Sequence, residues 1–352
     1  MDPGFWNLFG FWTLEFGIFR NFVPRFHFRT KNIITMTPKV NIFSGRAGLT
    51  LTEKICEIYG KPMGNVDMLR FPDGEFQPSF EDNIRGNDVF IIQSTIPPAE
   101  NILELLMLID AAKRASAEQI IAVIPYYGYA RQDRKDKPRV SIASKLVANL
   151  LSAAGVTRII TIDLHADQIQ GFFDVPVDHL FASSIFIPHL VENNLTNALM
   201  ASPDSGGTRR AAAYAKILGT EMVVCYKQRS KPGVVAAMAL LGDVRGRDVI
   251  LLDDIIDSGG TIKRASNLIM ENGATSVRAM ITHPVLSGDA YKNIEESSLT
   301  EIIVTDTIPL KKEHPKIKVL TTANLLAEVI RRVHKHKSIS SLYRFDNLIT
   351  HH

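Results

Sequence analysis

The sequence predicts an α/β protein of two similar domains, each a mainly parallel sheet flanked by helices. Three observations carry that expectation. Short, continuous apolar runs alternate with helix-length segments, the pattern of parallel strands buried on both faces. The stretch Arg85-Gly-Asn-Asp-Val-Phe-Ile-Ile returns 160 positions later as Arg245-Gly-Arg-Asp-Val-Ile-Leu-Leu, and a helix and a second strand follow each copy. At 352 residues the chain is long enough for two domains of ordinary size.

In chain order, Val89–Ile92 reads as a strand, Asn101–Ala115 as a helix with Ile102, Leu105, Leu106 and Ile109 on one face, and Ile120–Ile124 as a strand ended by Pro125. Ser141 is positioned to cap a helix over Ile142–Ala154, which Gly155 ends. Arg158–Ile162 is the next strand. The second half repeats the alternation: helix Thr208–Leu218 stopped by Gly219, strand Met222–Cys225, strand Val249–Leu252, helix Thr261–Asn272 ended by Gly273, strands Val277–Thr282 and Ile302–Val304, and helix Ala323–His334.

Residues 1–35 differ from everything that follows. They hold both tryptophans and eight of the 18 phenylalanines. Asp2 stands where a signal peptide needs a basic region, and Asn7, Thr13 and Glu15 break any membrane span. The segment reads as an upstream leader outside the fold; a targeting or membrane-contacting leader and a partner-binding arm are the alternatives. The expected division is therefore leader 1–35, domains 36–178 and 179–345, and a short tail 346–352.

Composition removes several classes of function. Hydrophobic residues make up 45% and charged residues 22%, ordinary for a globular protein, so disorder is not the dominant state. A net charge of +3 gives no footprint for nucleic acid, and nothing points to a membrane partner. The two cysteines, Cys56 and Cys225, support neither a disulfide scaffold nor a Cys-rich zinc site, and a reducing, cytoplasmic setting is expected.

The sharpest motif is Val249-Ile-Leu-Leu-Asp253-Asp254-Ile-Ile-Asp257-Ser258-Gly259-Gly260-Thr261. An apolar strand runs into two acids, then a third, then a Gly-rich turn that opens a helix. Backbone N–H groups in such a turn form a concavity for an anion, and the helix N-terminus adds partial positive charge. Ser258 and Thr261 add hydroxyl donors. The acids Asp253, Asp254 and Asp257 repel phosphate, so they suit vicinal sugar hydroxyls. The plainer reading is a strand-to-helix turn capped by Asp257. Neither a P-loop nor a dinucleotide-binding glycine pattern occurs.

This stretch resembles the phosphoribosyl diphosphate signature shared by type I phosphoribosyltransferases and ribose-phosphate diphosphokinases. Four further motifs resemble those of class I ribose-phosphate diphosphokinases, in the family's order: Phe71-Pro-Asp-Gly-Glu75, Tyr129-Ala-Arg-Gln-Asp-Arg-Lys-Asp136, the run Asp163-Leu-His-Ala-Asp to Asp174, and Ser202-Pro-Asp-Ser-Gly-Gly207. The resemblance spans about Val40 to Phe345 and implies two phosphoribosyltransferase-type domains. It implies transfer of a diphosphoryl group from MgATP to ribose 5-phosphate, giving 5-phosphoribosyl 1-diphosphate and AMP for nucleotide and amino-acid biosynthesis.

Residue by residue, the resemblance places Arg131, Gln132 and Asp136 at ATP, with Phe71, Asp73 and Glu75 reaching the same site across a subunit interface. Taken alone, Phe71 reads as a core residue, whereas the basic run Arg131–Arg139 suits a triphosphate, with a solvated charged face as the alternative. His165 and Asp204 become candidate Mg2+ ligands, although a bare histidine is usually structural and Mg2+ favours oxygen. Asp253, Asp254, Asp257 and Ser258–Thr261, with Gly259 and Gly260, hold ribose 5-phosphate, and Asp254 is also a candidate general base. Lys227 and Arg229, on a segment whose Ser230-Lys-Pro-Gly reads as a mobile loop, become the catalytic cations. Arg85, Lys135, Arg139, Gln170 and Asp178 match positions near a site where phosphate activates and ADP inhibits. The family forms homo-oligomers, with a hexamer expected.

Two other functions remain open on sequence. A phosphoribosyltransferase explains Asp253–Thr261 equally well, but not the basic run, the Phe71–Glu75 motif or two α/β units. A catalytically silent regulatory subunit should have lost Lys227, Arg229, His165 or Asp204, which are all present.

Overall fold

A computed structural model of the chain describes residues 38–227, 238–343 and 345. Residues 1–35, expected to be a leader, Arg229 and residues 346–352 lie outside the described residues, as does the side chain of Lys227.

The first half runs β1 (Val40–Ser44), α1 (Leu49–Tyr59), a hairpin of β2 (Val66–Arg70) and β3 (Phe76–Phe80), β4 (Asp88–Ile92), α2 (Glu100–Arg114), β5 (Gln119–Ile124), α3 (Ala143–Ala154), β6 (Arg158–Ile162) and β7 (Val177–Leu180). Five of its strands form a parallel sheet in the order β1-β4-β5-β6-β7. The second half continues with α4 (Ser183–Glu192), β8 (Leu199–Ser202), α5 (Thr208–Leu218), β9 (Met222–Lys227), β10 (Met238–Leu241), β11 (Asp248–Ile256) and α6 (Gly260–Glu271). It closes with β12 (Ser276–Pro284), α7 (Ala290–Glu295), β13 (Glu301–Thr305), β14 (Ile317–Leu320) and α8 (Ala323–His334). Its sheet has the order β10-β9-β8-β11-β12-β13-β14, parallel except where β10 meets β9.

Both sheets are buried on two faces, as the continuous apolar runs require. In β4, Phe90 and Ile92 enter one core cluster, Val89 and Ile91 another. The first cluster is shared between the halves: Phe90, Ile121 and Val123 of the first sheet join Met200, Leu252, Met280 and Ile303 of the second. Helix α8 carries Leu326, Val329 and Ile330 into this cluster and packs against α1. Arg331 covers the ring of Tyr59 at 5.1 Å, and His334 Nδ1 meets Asp88 Oδ2 at 2.7 Å.

The sequence repeat is a structural repeat. The N–H of Gly86 donates to Ser116 O and that of Gly246 to Gly273 O, each at 2.8 Å. Asn87 and Arg247 donate to Ile84 O and Val244 O, and their own carbonyls accept from Glu118 and Thr275. One turn thus launches the equivalent strands β4 and β11.

Most predicted elements stand within a residue or two of their expected ends. Two differ in ways that matter. Helix α3 starts at Ala143 with Ile142 at its cap position, and Ser141 makes no cap bond to it. Strand β11 does not stop at Leu252 but runs through both acids to Ile256.

Candidate active site

The second sheet reverses its winding between β8 and β11. From β8 the chain crosses to β9 on one side, and from β11 to β12 on the other. A crevice at the carboxyl ends of such strands is where open α/β sheets place ligands. A cavity of about 1150 Å3 opens there. Pockets for one drug-sized ligand run to roughly 300–1,000 Å3, so the cavity has room for a nucleotide-sized substrate. Its walls include Arg131, His165, Asp204, Arg210, Asp253, Asp254 and Asp257.

Asp253 and Asp254 lie within β11, with Asp253 in register with Ile281 of β12. The strand continues through them because their charges are met from elsewhere. Asp254 is 6% exposed, and its Oδ2 lies 2.8 Å from His165 Nδ1, beyond the end of β6. Its Oδ1 accepts from Arg210 Nη1 on α5 at 3.3 Å. Against its burial, the His165 hydrogen bond and the Arg210 charge hold the Asp254 carboxyl well below the usual range. Burial, then the neighbouring Asp254 charge, pushes Asp253 well above it. The Asp254 bond raises His165 in turn. A carboxylate tied to the Arg210 guanidinium and hydrogen-bonded to His165 is a weak proton acceptor, which disfavours Asp254 as a general base.

Asp257 turns away from its neighbours. Its Oδ2 accepts from Arg131 Nη1 at 2.6 Å, and Ser287 donates to its other oxygen. It does not cap α6. That place belongs to Gly259, whose φ of +74° is reached at little cost only without a Cβ. Helix α6 starts at Gly260, so its first N–H groups have no partner within the helix and are available to an anion. Asn293 Nδ2 fixes the turn by donating to Ser258 O at 2.9 Å.

Asp204 stands after β8, where its Oδ1 accepts from the N–H groups of Gly206 at 2.8 Å and Gly207 at 3.3 Å. Among the described residues, no group of three or more His, Cys, Asp or Glu is arranged to hold a metal. Asp204 offers carboxylate oxygen of the kind Mg2+ takes, one or two such groups being common beside substrate phosphates. The Asp254–His165 pair also resembles the carboxylate partners that orient metal-bound imidazoles.

Other predicted residues lie apart from this cavity. Ser258–Thr261 follow Asp257 but are not among the cavity's walls, and Gln132 and Asp136, on the loop after β5, do not line it either. Phe71, Asp73 and Glu75 form the turn of the β2–β3 hairpin, where Phe71 N–H donates to Glu75 O and Glu75 N–H to Asp73 Oδ1. Phe71 is 42% exposed and so is not the core residue its bare sequence favours. Gln170 and Asp178 do line the cavity, near Tyr343, whereas Arg85, Lys135 and Arg139 do not. Arg85 instead bonds Ser116 Oγ.

Arg210 belongs to none of the motifs that mark the site in the sequence. It follows the Gly206-Gly207 turn, beside the buried face of Ala211, Tyr214, Ala215 and Leu218 on α5. An arginine flanking an apolar helical stripe was the available signal. Burial opposes its charge, and Asp163, Asp254 and Asp253 together overcome that effect.

Known proteins resemble this chain over most of its length. Residues 40–155 match the N-terminal domain of ribose phosphate pyrophosphokinase, and residues 222–344 match the phosphoribosyl synthetase-associated domain. The chain is 55% identical over 306 residues to the ribose-phosphate pyrophosphokinase of Porphyromonas gingivalis, covering 87% of this chain and 98% of that one. It is 48% identical over 324 residues to that of Chlorobaculum tepidum, covering 90% and 100%. The crystal structure of phosphoribosylpyrophosphate synthetase from Mycobacterium smegmatis superposes with a TM-score of 0.79 at 39% identity, over 85% of this chain and 99% of that one. With two paired α/β halves, an acid pair at the switch point and relatives matched over nearly their whole length, the chain belongs to the ribose-phosphate pyrophosphokinase family.

Proposed function

We propose that the cavity at the carboxyl ends of β6, β8 and β11 carries out the family's reaction, ATP plus ribose 5-phosphate giving 5-phosphoribosyl 1-diphosphate plus AMP. One observation supports the reading above the others: Asp254 is held between His165 of the first half and Arg210 of the second, which joins the two halves at one polar site.

The Ser258–Thr261 turn receives the sugar phosphate on backbone N–H groups and hydroxyls. Asp253 and Asp254 orient the ribose hydroxyls. Arg131, Gln132 and Asp136 bind ATP, and Phe71, Asp73 and Glu75 complete the adenine site of a neighbouring subunit. Their exposure on a hairpin outside the cavity supports that donation and a homo-oligomer, by family likeness a hexamer. The anomeric hydroxyl attacks the β-phosphorus and AMP departs. Lys227 and Arg229 stabilise the charge on the transferring group, a task of positioning and neutralisation. His165 and Asp204 would hold Mg2+, which supplies charge neutralisation at the phosphates when bound.

Gln170 and Asp178, together with Arg85, Lys135 and Arg139, are proposed to respond to phosphate and ADP; activity flat in both would remove that role. Two buried free thiols fit a reducing, cytoplasmic setting. Among the described residues no helix is long and apolar enough to cross a membrane. Mass-spectrometric analysis of products from MgATP and ribose 5-phosphate tests the reaction. AMP and 5-phosphoribosyl 1-diphosphate are expected in equal amounts, and their absence overturns the reading.

A further inference from the structure

Strand β12 ends in a buried polar pair, Thr282 and His283, that touches both halves of the molecule. His283 is 2% exposed and in register with Ile255 of β11, the residue after Asp254. Its Nδ1 lies 2.9 Å from Thr307 Oγ1, and its Nε2 lies 3.1 Å from the carbonyl oxygens of both Ile162 and Asp163. Carbonyls only accept, so the proton belongs on Nε2 and Nδ1 accepts from the Thr307 hydroxyl. Thr282 Oγ1 donates to the Asp163 carboxylate at 2.5 Å. Consecutive side chains of one strand therefore hold both the backbone and the side chain of Asp163.

Asp163 needs holding. Its φ of +39° is in the left-handed region, unfavourable for a residue with a Cβ, and such strain persists only when the surroundings fix it. That turn aims the chain so that His165, two residues on, meets Asp254 at 2.8 Å. The contacts close a ring: His283 to Asp163, along the chain to His165, across to Asp254, and through Ile255 back to His283.

We propose that His283 is a positioning residue for the diphosphoryl transfer, acting through the backbone of Asp163 to set where His165 stands against Asp254. This rests on the reading of the cavity given above. The Ser258–Thr261 turn lies outside the ring, and Asp254, which is inside it, keeps its own bond from Arg210 and its place in β11, so a shift of His165 leaves the ribose 5-phosphate contacts in place.

The test compares His283→Gln with His283→Asn in the full-length enzyme. A glutamine amide reaches about as far as Nε2 and keeps a donor for the two carbonyls, whereas an asparagine amide reaches only the Nδ1 position. The Asn variant is expected to lose about tenfold to hundredfold in kcat, with the KM for ribose 5-phosphate within about twofold of wild type. The Gln variant recovers most of the loss at a similar melting temperature. Full kcat in the Asn variant overturns the proposal, as does an equal loss in both variants that follows their melting temperatures. Should His283→Asn fail to fold, Thr282→Val against Thr282→Ser reads the same anchoring of Asp163 from the side of its carboxylate. Val lowers kcat and Ser restores it, and equal activity of the two overturns the proposal. Wild-type enzyme that makes no AMP from these substrates sinks the reading of the reaction itself, and this inference with it.

Discussion

Arg131 and Asp257 stand 126 positions apart in the chain, yet Nη1 of the one lies 2.6 Å from Oδ2 of the other. A residue proposed for ATP is thus held by a residue of the sugar-phosphate loop. The Ser287 hydrogen bond, then that of Arg131, keeps the Asp257 carboxyl below its ordinary range. The pair therefore persists above the usual Asp titration and is lost as pH falls. Replacing Arg131 by Ala should raise the KM for ATP by about tenfold or more, and Lys should restore little, because it lacks the planar fork. Steady-state kinetics at saturating ribose 5-phosphate check this, and an unchanged KM removes Arg131 from the ATP site.

Gly259→Ala should cost about 1–2 kcal/mol of stability, because a Cβ at φ +74° is strained and would stand 3.3 Å from Ala290 O. The same change should weaken ribose 5-phosphate binding by distorting the turn that receives the phosphate. Denaturant unfolding and titration calorimetry measure the two effects. A variant with wild-type affinity would show that this turn does not hold the sugar phosphate.

Lys227→Ala should reduce turnover on the order of 10³-fold while ribose 5-phosphate still binds. Single-turnover kinetics with a parallel binding titration separate the two. Retained turnover takes Lys227 out of the mechanism.

Cys56 and Cys225 should resist alkylation at pH 8 in the folded protein and react once it is unfolded. Burial pushes both thiols up to about 11, which suppresses the reactive thiolate. Because the folded-state values are raised above the ordinary 9.0, the stabilisation is complete below pH 9 and is lost as pH rises toward 11. Mass analysis after iodoacetamide treatment checks the labelling. Rapid modification of either thiol in native protein contradicts the burial.

The sequence made the fold legible wherever a local rule decided it. Helices Thr208–Leu218 and Ala323–His334 fall where their apolar spacing puts them. The Arg85 and Arg245 turns repeat hydrogen bond for hydrogen bond. Legibility failed where partners come from afar. Asp253 and Asp254 look like a strand's end, because nothing local shows that His165 and Arg210 will neutralise them. Phe71 looks like core, because hydrophobicity does not reveal that the β2–β3 hairpin stands clear of the sheets. The ring through His283 depends on two strands about 120 residues apart in sequence.

Helix α8 has a consequence for the order in which the molecule can be made. It is one of the last elements of the chain, yet it covers α1 and ties to Asp88 at the start of β4. A polypeptide still emerging from the ribosome therefore leaves the greasy side of α1 without its partner until α8 has also been made. Premature termination upstream of this helix should leave a product that chaperones retain, even though every residue of the first sheet has been synthesised.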